Sequence, residues 1–250
     1  MQSESEKIIE VNGLISVIKK NIILSEINFE VLKGEIAVII GGSGSGKTTV
    51  LKHLLGLYPS IGGAVAVLGH NPSLLEENQR KSFYQKIGVM YQEGALIKSM
   101  TVGENIGLPL EQHTSLPPDF IEELVRLKLH MVQLDDSYDK YPTELSGGML
   151  KRAAIARAII LDPPILFCDE PGSGLDPVTL SALDELIIQL KEQLGMTVVM
   201  VTHDVSSVMR MADRIVFLDH GVSIFQGSLK GGLATNNPII TEFFSRAKGE

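Results

Sequence analysis

Short apolar runs alternate along the chain with longer amphipathic stretches, and this pattern sets the expected elements. Ile36-Ala37-Val38-Ile39-Ile40 is continuously apolar and rich in β-branched residues, which predicts a strand buried on both faces. Helical spacing follows in Thr49-Val50-Leu51-Lys52-His53-Leu54-Leu55. Ahead of it, Ile8 to Val17 and Ile22 to Glu30 read as strands joined by a turn at Lys19-Lys20-Asn21, so an antiparallel hairpin leads the chain. Tyr58 to Gly63 is punctuation. Ala64 to Gly69 is a short strand closed by a turn, and Ile87 to Tyr91 is another that ends at Gln92.

From Glu93 to about Leu161 the pattern becomes mainly helical, divided by Pro109, Pro117-Pro118 and Pro142. Ile121, Leu124, Val125, Leu127 and Leu129 form one apolar helical face, which Asp135-Asp136 brings to an end. A strand over Ile165-Leu166-Phe167-Cys168-Asp169-Glu170 then carries its carboxylates at the C-terminal end. A helix from about Val178 to Leu194, a strand at Thr197 to Val201, a helix around Val205 to Ala212 and a strand at Arg214 to Leu218 follow. His220-Gly221 turns the chain into Val222 to Gln226, and a last helix runs from about Pro238 to Arg246. Strand and helix alternate, which implies an α/β fold with a mostly parallel sheet.

Composition narrows the class. A chain of 250 residues fits one large domain, or a core with a smaller inserted lobe. Its net charge of -8 and pI near 5.3 argue against a general nucleic-acid binder and against a protein held on anionic lipid by charge. Cys168 is the only cysteine, so no intramolecular disulfide forms; its place before the acidic pair reads as core packing, against redox chemistry as the other reading. The acidic start, Met1-Gln2-Ser3-Glu4-Ser5-Glu6, lacks the pattern of a secretory signal, and no apolar run is long enough to cross a bilayer.

The candidate chemistry begins where the first buried strand ends. Gly41-Gly42-Ser43-Gly44-Ser45-Gly46-Lys47-Thr48 fits G-x-x-x-x-G-K-[ST] between a strand and a helix, with Thr49 continuing the helix. Glycines let backbone N–H groups turn inward around a polyphosphate, and the helix N-terminus adds partial positive charge. Lys47 is placed to reach the β- and γ-phosphates and Thr48 to set its hydroxyl on a magnesium ion. A nucleotide and Mg2+ are the expected ligands of this motif. Asp169 suits an acid that holds the magnesium, and Glu170 one that polarises the attacking water; a solvated acidic turn is the alternative for the pair taken alone.

Leu145-Ser146-Gly147-Gly148-Met149 opens a helix whose first N–H groups suit a γ-phosphate, although any Ser-Gly-Gly can merely cap a helix. Continued through Lys151-Arg152-Ala153-Ala154-Ile155-Ala156-Arg157-Ala158, the segment closely resembles the signature of ATP-binding cassette (ABC) proteins, and the resemblance covers nearly the whole chain. It implies a P-loop NTPase core with an N-terminal antiparallel β part, about 1–92 and 162–250, and an inserted helical subdomain, about 93–161. It further implies a head-to-tail homodimer, in which the phosphate loop of one subunit and the Ser146 segment of the other sandwich ATP. Gln92 matches the Q-loop glutamine, taken to contact magnesium and sense a transmembrane partner. Ser173-Gly174-Leu175-Asp176 matches the D-loop, which crosses the dimer. His203 matches the switch histidine, expected to hydrogen-bond the γ-phosphate and attacking water. Two departures stand out: Ser16 to Lys20 lacks the usual aromatic residue for adenine, leaving Ile18 as apolar contact, and Met149 replaces the common glutamine.

Within this family, Glu93-Gly94-Ala95-Leu96, Met100-Thr101-Val102-Gly103-Glu104-Asn105 and Leu108-Pro109-Leu110-Glu111-Gln112-His113-Thr114 resemble the ATPases of Mla-type, Mce-associated lipid transporters. Glu93 where relatives often carry serine, and Glu111-Gln112 where they often carry Arg-Glu, depart from the pattern. The resemblance implies an integral-membrane permease, a Mce-domain protein and a small regulator as partners. The expected location is the cytoplasmic face of the bacterial inner membrane, with phospholipid moved at the expense of ATP. A cassette ATPase for another substrate, or one outside transport, is the alternative.

Overall fold

The computed structural model describes residues 6–245. In chain order the elements are β1 (Lys7–Ile18), β2 (Asn21–Leu32), β3 (Ile36–Gly41), α1 (Lys47–Leu54), β4 (Gly62–Val67), α2 (Glu77–Tyr84), β5 (Ile87–Met90), α3 (Val102–His113) and α4 (Pro118–Met131). They continue as α5 (Gly147–Ala158), β6 (Ile165–Asp169), α6 (Pro177–Leu194), β7 (Thr197–Val201), α7 (Val205–Met211), β8 (Arg214–Asp219), β9 (Val222–Ser228), α8 (Leu229–Leu233) and α9 (Pro238–Ser245). Arg246, the expected end of the last helix, lies outside the described residues. The chain forms two compact units, residues 1–81 with 197–250 and residues 82–196, so the boundary falls inside α2. The expected helical insertion therefore shares its unit with β5, β6 and α6.

In the first unit, β1 and β2 pair antiparallel around Lys19 and Lys20, whose φ values of 49° and 69° are those of a two-residue hairpin turn. β4 adds to the other edge of β1, giving the order β2-β1-β4. A second sheet places β3 between β7 and β8, both parallel to it, and β9 pairs antiparallel with β8. Every residue of β3 is buried, as its unbroken apolar run predicts. Each of its Val and Ile side chains removed from water contributes about 1.5–3 kcal/mol before chain entropy is counted. The entry to β3 is tied down by polar contacts: the Ile36 N–H donates to Asp213 Oδ2 at 2.8 Å, and Arg214 Nε donates to Glu35 Oε2 at 2.8 Å.

In the second unit, β5 and β6 run parallel with Met90 opposite Cys168. The helices α3, α4 and α5 pack on one another. Thr101 caps α3 through the Glu104 N–H at 3.2 Å while Glu104 reaches back to the Thr101 N–H at 2.6 Å. A cap of this kind stabilises a helix by about 1 kcal/mol. α4 ends at Met131, before Asp135-Asp136, as the pattern indicates.

Candidate functional site

β3 delivers the chain into Gly41-Gly42-Ser43-Gly44-Ser45-Gly46, and α1 starts at Lys47. Gly41 has φ +148°, and a Cβ there would stand 2.1 Å from the Leu218 carbonyl oxygen on β8, so only glycine fits. Added side-chain atoms at Gly42 and Gly44 would meet nothing within 4 Å, which leaves the outer side of the loop open. α1 has no acidic residue in its first turn and no side-chain cap, so its N-terminal N–H groups keep their attraction for an anion. Lys47 folds back across the loop and donates to the carbonyls of Gly41 and Gly42 at 2.9 Å each. The Ser45 hydroxyl is buried and makes no hydrogen bond among the described residues. An open loop of backbone donors, a lysine and an unsatisfied hydroxyl fit a polyphosphate. Thr48 is exposed and Thr49 half-buried on the same first turn.

His203 belongs to the same unit. β7 is the parallel neighbour of β3, with Ile39 opposite Val201, so the segments that follow both strands leave from one edge of the sheet. His203 is exposed there, between the buried Thr202 and the half-buried Asp204. Thr202 Oγ1 accepts from the Asp204 N–H at 3.0 Å, and Asp204 Oδ1 accepts from the Ser207 N–H at 2.8 Å, which caps α7. Burial pushes the Asp204 carboxyl up, but hydrogen bonds from Ser206 and Ser207 outweigh it and leave its pKa below the ordinary value. Both ends of the histidine turn are thereby held.

In the second unit the same arrangement recurs. Gln92 follows β5, Asp169 ends β6, its parallel neighbour, and Glu170 follows it, so all three stand at the strands' C-terminal edge. Gln92 Nε2 donates to Ser173 Oγ at 3.3 Å. Glu170 is half-buried with φ 48°, a left-handed turn that starts the loop toward Ser173. Cys168 is fully buried on β6, and burial together with the Asp169 charge pushes its thiol up to about 12.

Ser146 caps α5, its side chain accepting from the Met149 N–H at 3.3 Å, and is exposed beside Gly147. The cap takes up the Met149 N–H, and the N–H groups of Gly147 and Gly148 lie ahead of it on the first turn. A Cβ on Gly148 would lie 2.7 Å from Thr179 Cγ2, so the glycine lets α5 pack closely on α6. Asp176 caps α6 through the N–H groups of Val178 and Thr179 at 3.0 and 3.1 Å. The Thr179 hydroxyl also donates to it, and these bonds hold the exposed Asp176 carboxyl below the ordinary carboxylate range.

For magnesium, the candidates Thr48, Gln92 and Asp169 offer a hydroxyl, an amide oxygen and a carboxylate, the hard oxygen donors this ion prefers. Among the described residues no group of three or more His, Cys, Asp or Glu gathers around a common point.

Other residues shape the site through contacts between positions far apart in the chain. Asn105 on α3 is fully buried and ties the turn that follows Gln92: its Oδ1 accepts from the Ile97 N–H at 2.7 Å. Its Nδ2 donates to the carbonyls of Ile97, Met100 and Thr101 at 3.0, 3.2 and 2.9 Å. On α5, Lys151 and Arg157 donate to the backbone between Gln92 and Ala95. Both belong to the signature-like segment, and the tertiary contacts show what they hold.

An open phosphate loop on a buried parallel strand, with a histidine turn on the neighbouring strand, defines a P-loop ATPase. The family model described as ABC transporter matches residues 24–173, and the chain belongs to that family. It is 34% identical over 246 residues to the intermembrane phospholipid transport system ATP-binding protein MlaF of Haemophilus influenzae, covering 98% of this chain and 92% of that one. It is 35% identical over 240 residues to the probable ribonucleotide transport ATP-binding protein mkl of Mycobacterium leprae, covering 95% of this chain and 68% of that one. Among solved structures, the dimeric post-hydrolysis state of the ATP-binding cassette MJ0796 bound to ADP and Pi superposes with a TM-score of 0.79 at 31% identity, covering 88% of this chain and 98% of that one. This chain is an ATP-binding, ATP-hydrolysing subunit of an ABC transporter.

Proposed function

We propose that this chain energises the movement of phospholipid by a Mce-associated permease complex at the cytoplasmic face of the bacterial inner membrane. The observation that carries the reading is the likeness to the phospholipid transport ATP-binding protein, which runs over 98% of the chain. Among the described residues no helix is long and apolar enough to cross a membrane, so the crossing falls to partner chains.

In this reading the subunit works as a homodimer. Backbone N–H groups from Gly41 to Lys47, with the Lys47 ammonium, hold the phosphates of ATP, and Ser146, Gly147 and Gly148 of the partner subunit close over the γ-phosphate. Thr48, Asp169 and Gln92 hold Mg2+, which neutralises developing phosphate charge when bound. Glu170 takes the proton of the attacking water, and His203 orients that water against the γ-phosphate. Asp176 meets the partner subunit. Closure on ATP and reopening after hydrolysis pass to the permease through the segment from Gln92 to Ser99, and a small regulator can bind the helical lobe.

A second cargo has an observation behind it. The similarity to the ribonucleotide transport ATP-binding protein is of the same size, 35%. Affinity purification from detergent-solubilised native membranes, with mass spectrometry of what stays bound, separates the readings. Recovery of a multispan permease with a Mce-domain protein is expected. A permease without a Mce-domain partner removes the lipid assignment, and a complex without any permease removes the location.

A further inference from the structure

α5 begins at the signature serine and also carries two cations that face the loop after β5. Leu150, Lys151, Ala154 and Arg157 share one side of the helix, since positions three, four and seven apart line up along it. Lys151, itself buried, donates from Nζ to the Gln92 carbonyl oxygen. Arg157 forks across the next carbonyls, Nη2 to Gly94 and Nη1 to Ala95, at 2.9 Å each. Between the two cations Gly94 lies buried on the helix. Its φ is +74°, and a Cβ there would come 3.3 Å from Ala154 Cβ and 3.6 Å from the Leu150 carbonyl oxygen.

A charge-assisted hydrogen bond is roughly twice as strong as a neutral one, and a guanidinium fork fixes orientation as well as distance. Three anchor points within four residues of backbone, at Gln92, Gly94 and Ala95, leave Gln92 little freedom independent of α5. The amide of Gln92 and the serine that opens α5 therefore belong to one mechanical body. Neither cation has a carboxylate as its hydrogen-bond partner in these contacts, so both spend their donors on the loop itself.

We infer that Lys151 and Arg157 are positioning residues that fasten the Gln92 loop to the signature helix, so that the glutamine and Ser146 move together when the site closes. This rests on the proposed role of Gln92 in hydrolysis. Loss of either cation leaves the phosphate loop intact while freeing the glutamine, so turnover falls and nucleotide affinity does not.

The test is steady-state ATP hydrolysis by the full chain, purified from membranes in its native complex, for Lys151→Met, Arg157→Lys, Gln92→Ala and the Lys151→Met/Gln92→Ala pair. Lys151→Met is expected to lower kcat about tenfold while KM for ATP stays within about twofold, the mark of an interaction that matters after binding. Lys151→Arg is expected to restore most of the loss, and Arg157→Lys, which keeps charge but loses the fork, to share it. In the Gln92→Ala background Lys151→Met should cost nothing further, because the two changes remove one effect. Additive losses, or a parallel fall in affinity and melting temperature, would overturn the inference. Unchanged kcat in Gln92→Ala alone would instead remove the role of the glutamine on which it depends.

Discussion

Lys47 is held by Gly41: the ammonium at the start of the helix donates at 2.9 Å to the carbonyl at the end of the strand, and the phosphate loop is closed on itself. Bound phosphate must draw on the same ammonium, so the loop carries its cation in place. Lys47→Ala removes the charge and the bridge together. Nucleotide affinity is expected to fall at least about tenfold, with hydrolysis lost, as read by titration with a fluorescent ATP analogue.

Glu170 follows β6 on a left-handed turn and is half-buried, a setting in which a carboxylate can be aimed. Glu170→Gln keeps the shape and removes the base. ATP binding should persist while turnover drops about 10²-fold or more, measured as phosphate release beside equilibrium binding. Parental turnover in that variant would exclude the carboxylate from proton transfer.

His53 is buried on α1, its ring edge-on to Tyr58 with centroids 6.0 Å apart. Burial pushes its pKa below the ordinary 6.5, offset in part by the Tyr58 backbone. The sign follows from which state takes the proton first. Above pH 6.5 the imidazole is neutral folded or unfolded; as pH falls below 6.5 the unfolded chain is protonated first and stability is lost until the pH passes the lower folded value. Thermal unfolding from pH 7.5 to about 5 should show a shallower acid decline for His53→Leu than for the parent. Parallel declines would assign the acid sensitivity to other groups.

Cys168 is fully buried with its thiol pushed up to about 12, so at pH 8 almost no thiolate is present in the folded chain. A maleimide or disulfide reagent should leave native protein unmodified over hours and label it fully in denaturant. Rapid labelling of the native chain would contradict the buried strand β6.

Local sequence foreshadows elements whose side chains obey one period. β3 shows in five consecutive apolar residues, and the hairpin turn in the polar Lys19-Lys20-Asn21 between alternating strands. α2 does not, because Glu77 to Ser82 is polar throughout and only Phe83 is buried, which leaves no apolar face to read. α8 has five residues, two of them Gly231 and Gly232, and is too short and too glycine-rich to signal a helix. The site divides the same way. The phosphate loop is local, and its residue types announce its chemistry. The hold of Lys151 on Gln92 joins positions 59 apart, and that of Arg157 on Gly94 joins positions 63 apart, so no local pattern encodes them.

The position of β3 between β7 and β8 has a consequence for how the molecule is made. Both neighbours lie beyond residue 196, so a ribosome that has delivered the phosphate loop has yet to deliver either strand that flanks it. Until Leu218 has emerged, the Gly41 backbone lacks the β8 partner against which it packs. Chains are synthesised from the N-terminus at about 5–20 residues per second, so this first strand waits many seconds unpaired while a whole intervening unit is made. A message broken before that point yields a chain that contains the entire phosphate-binding sequence and cannot assemble the sheet that supports it.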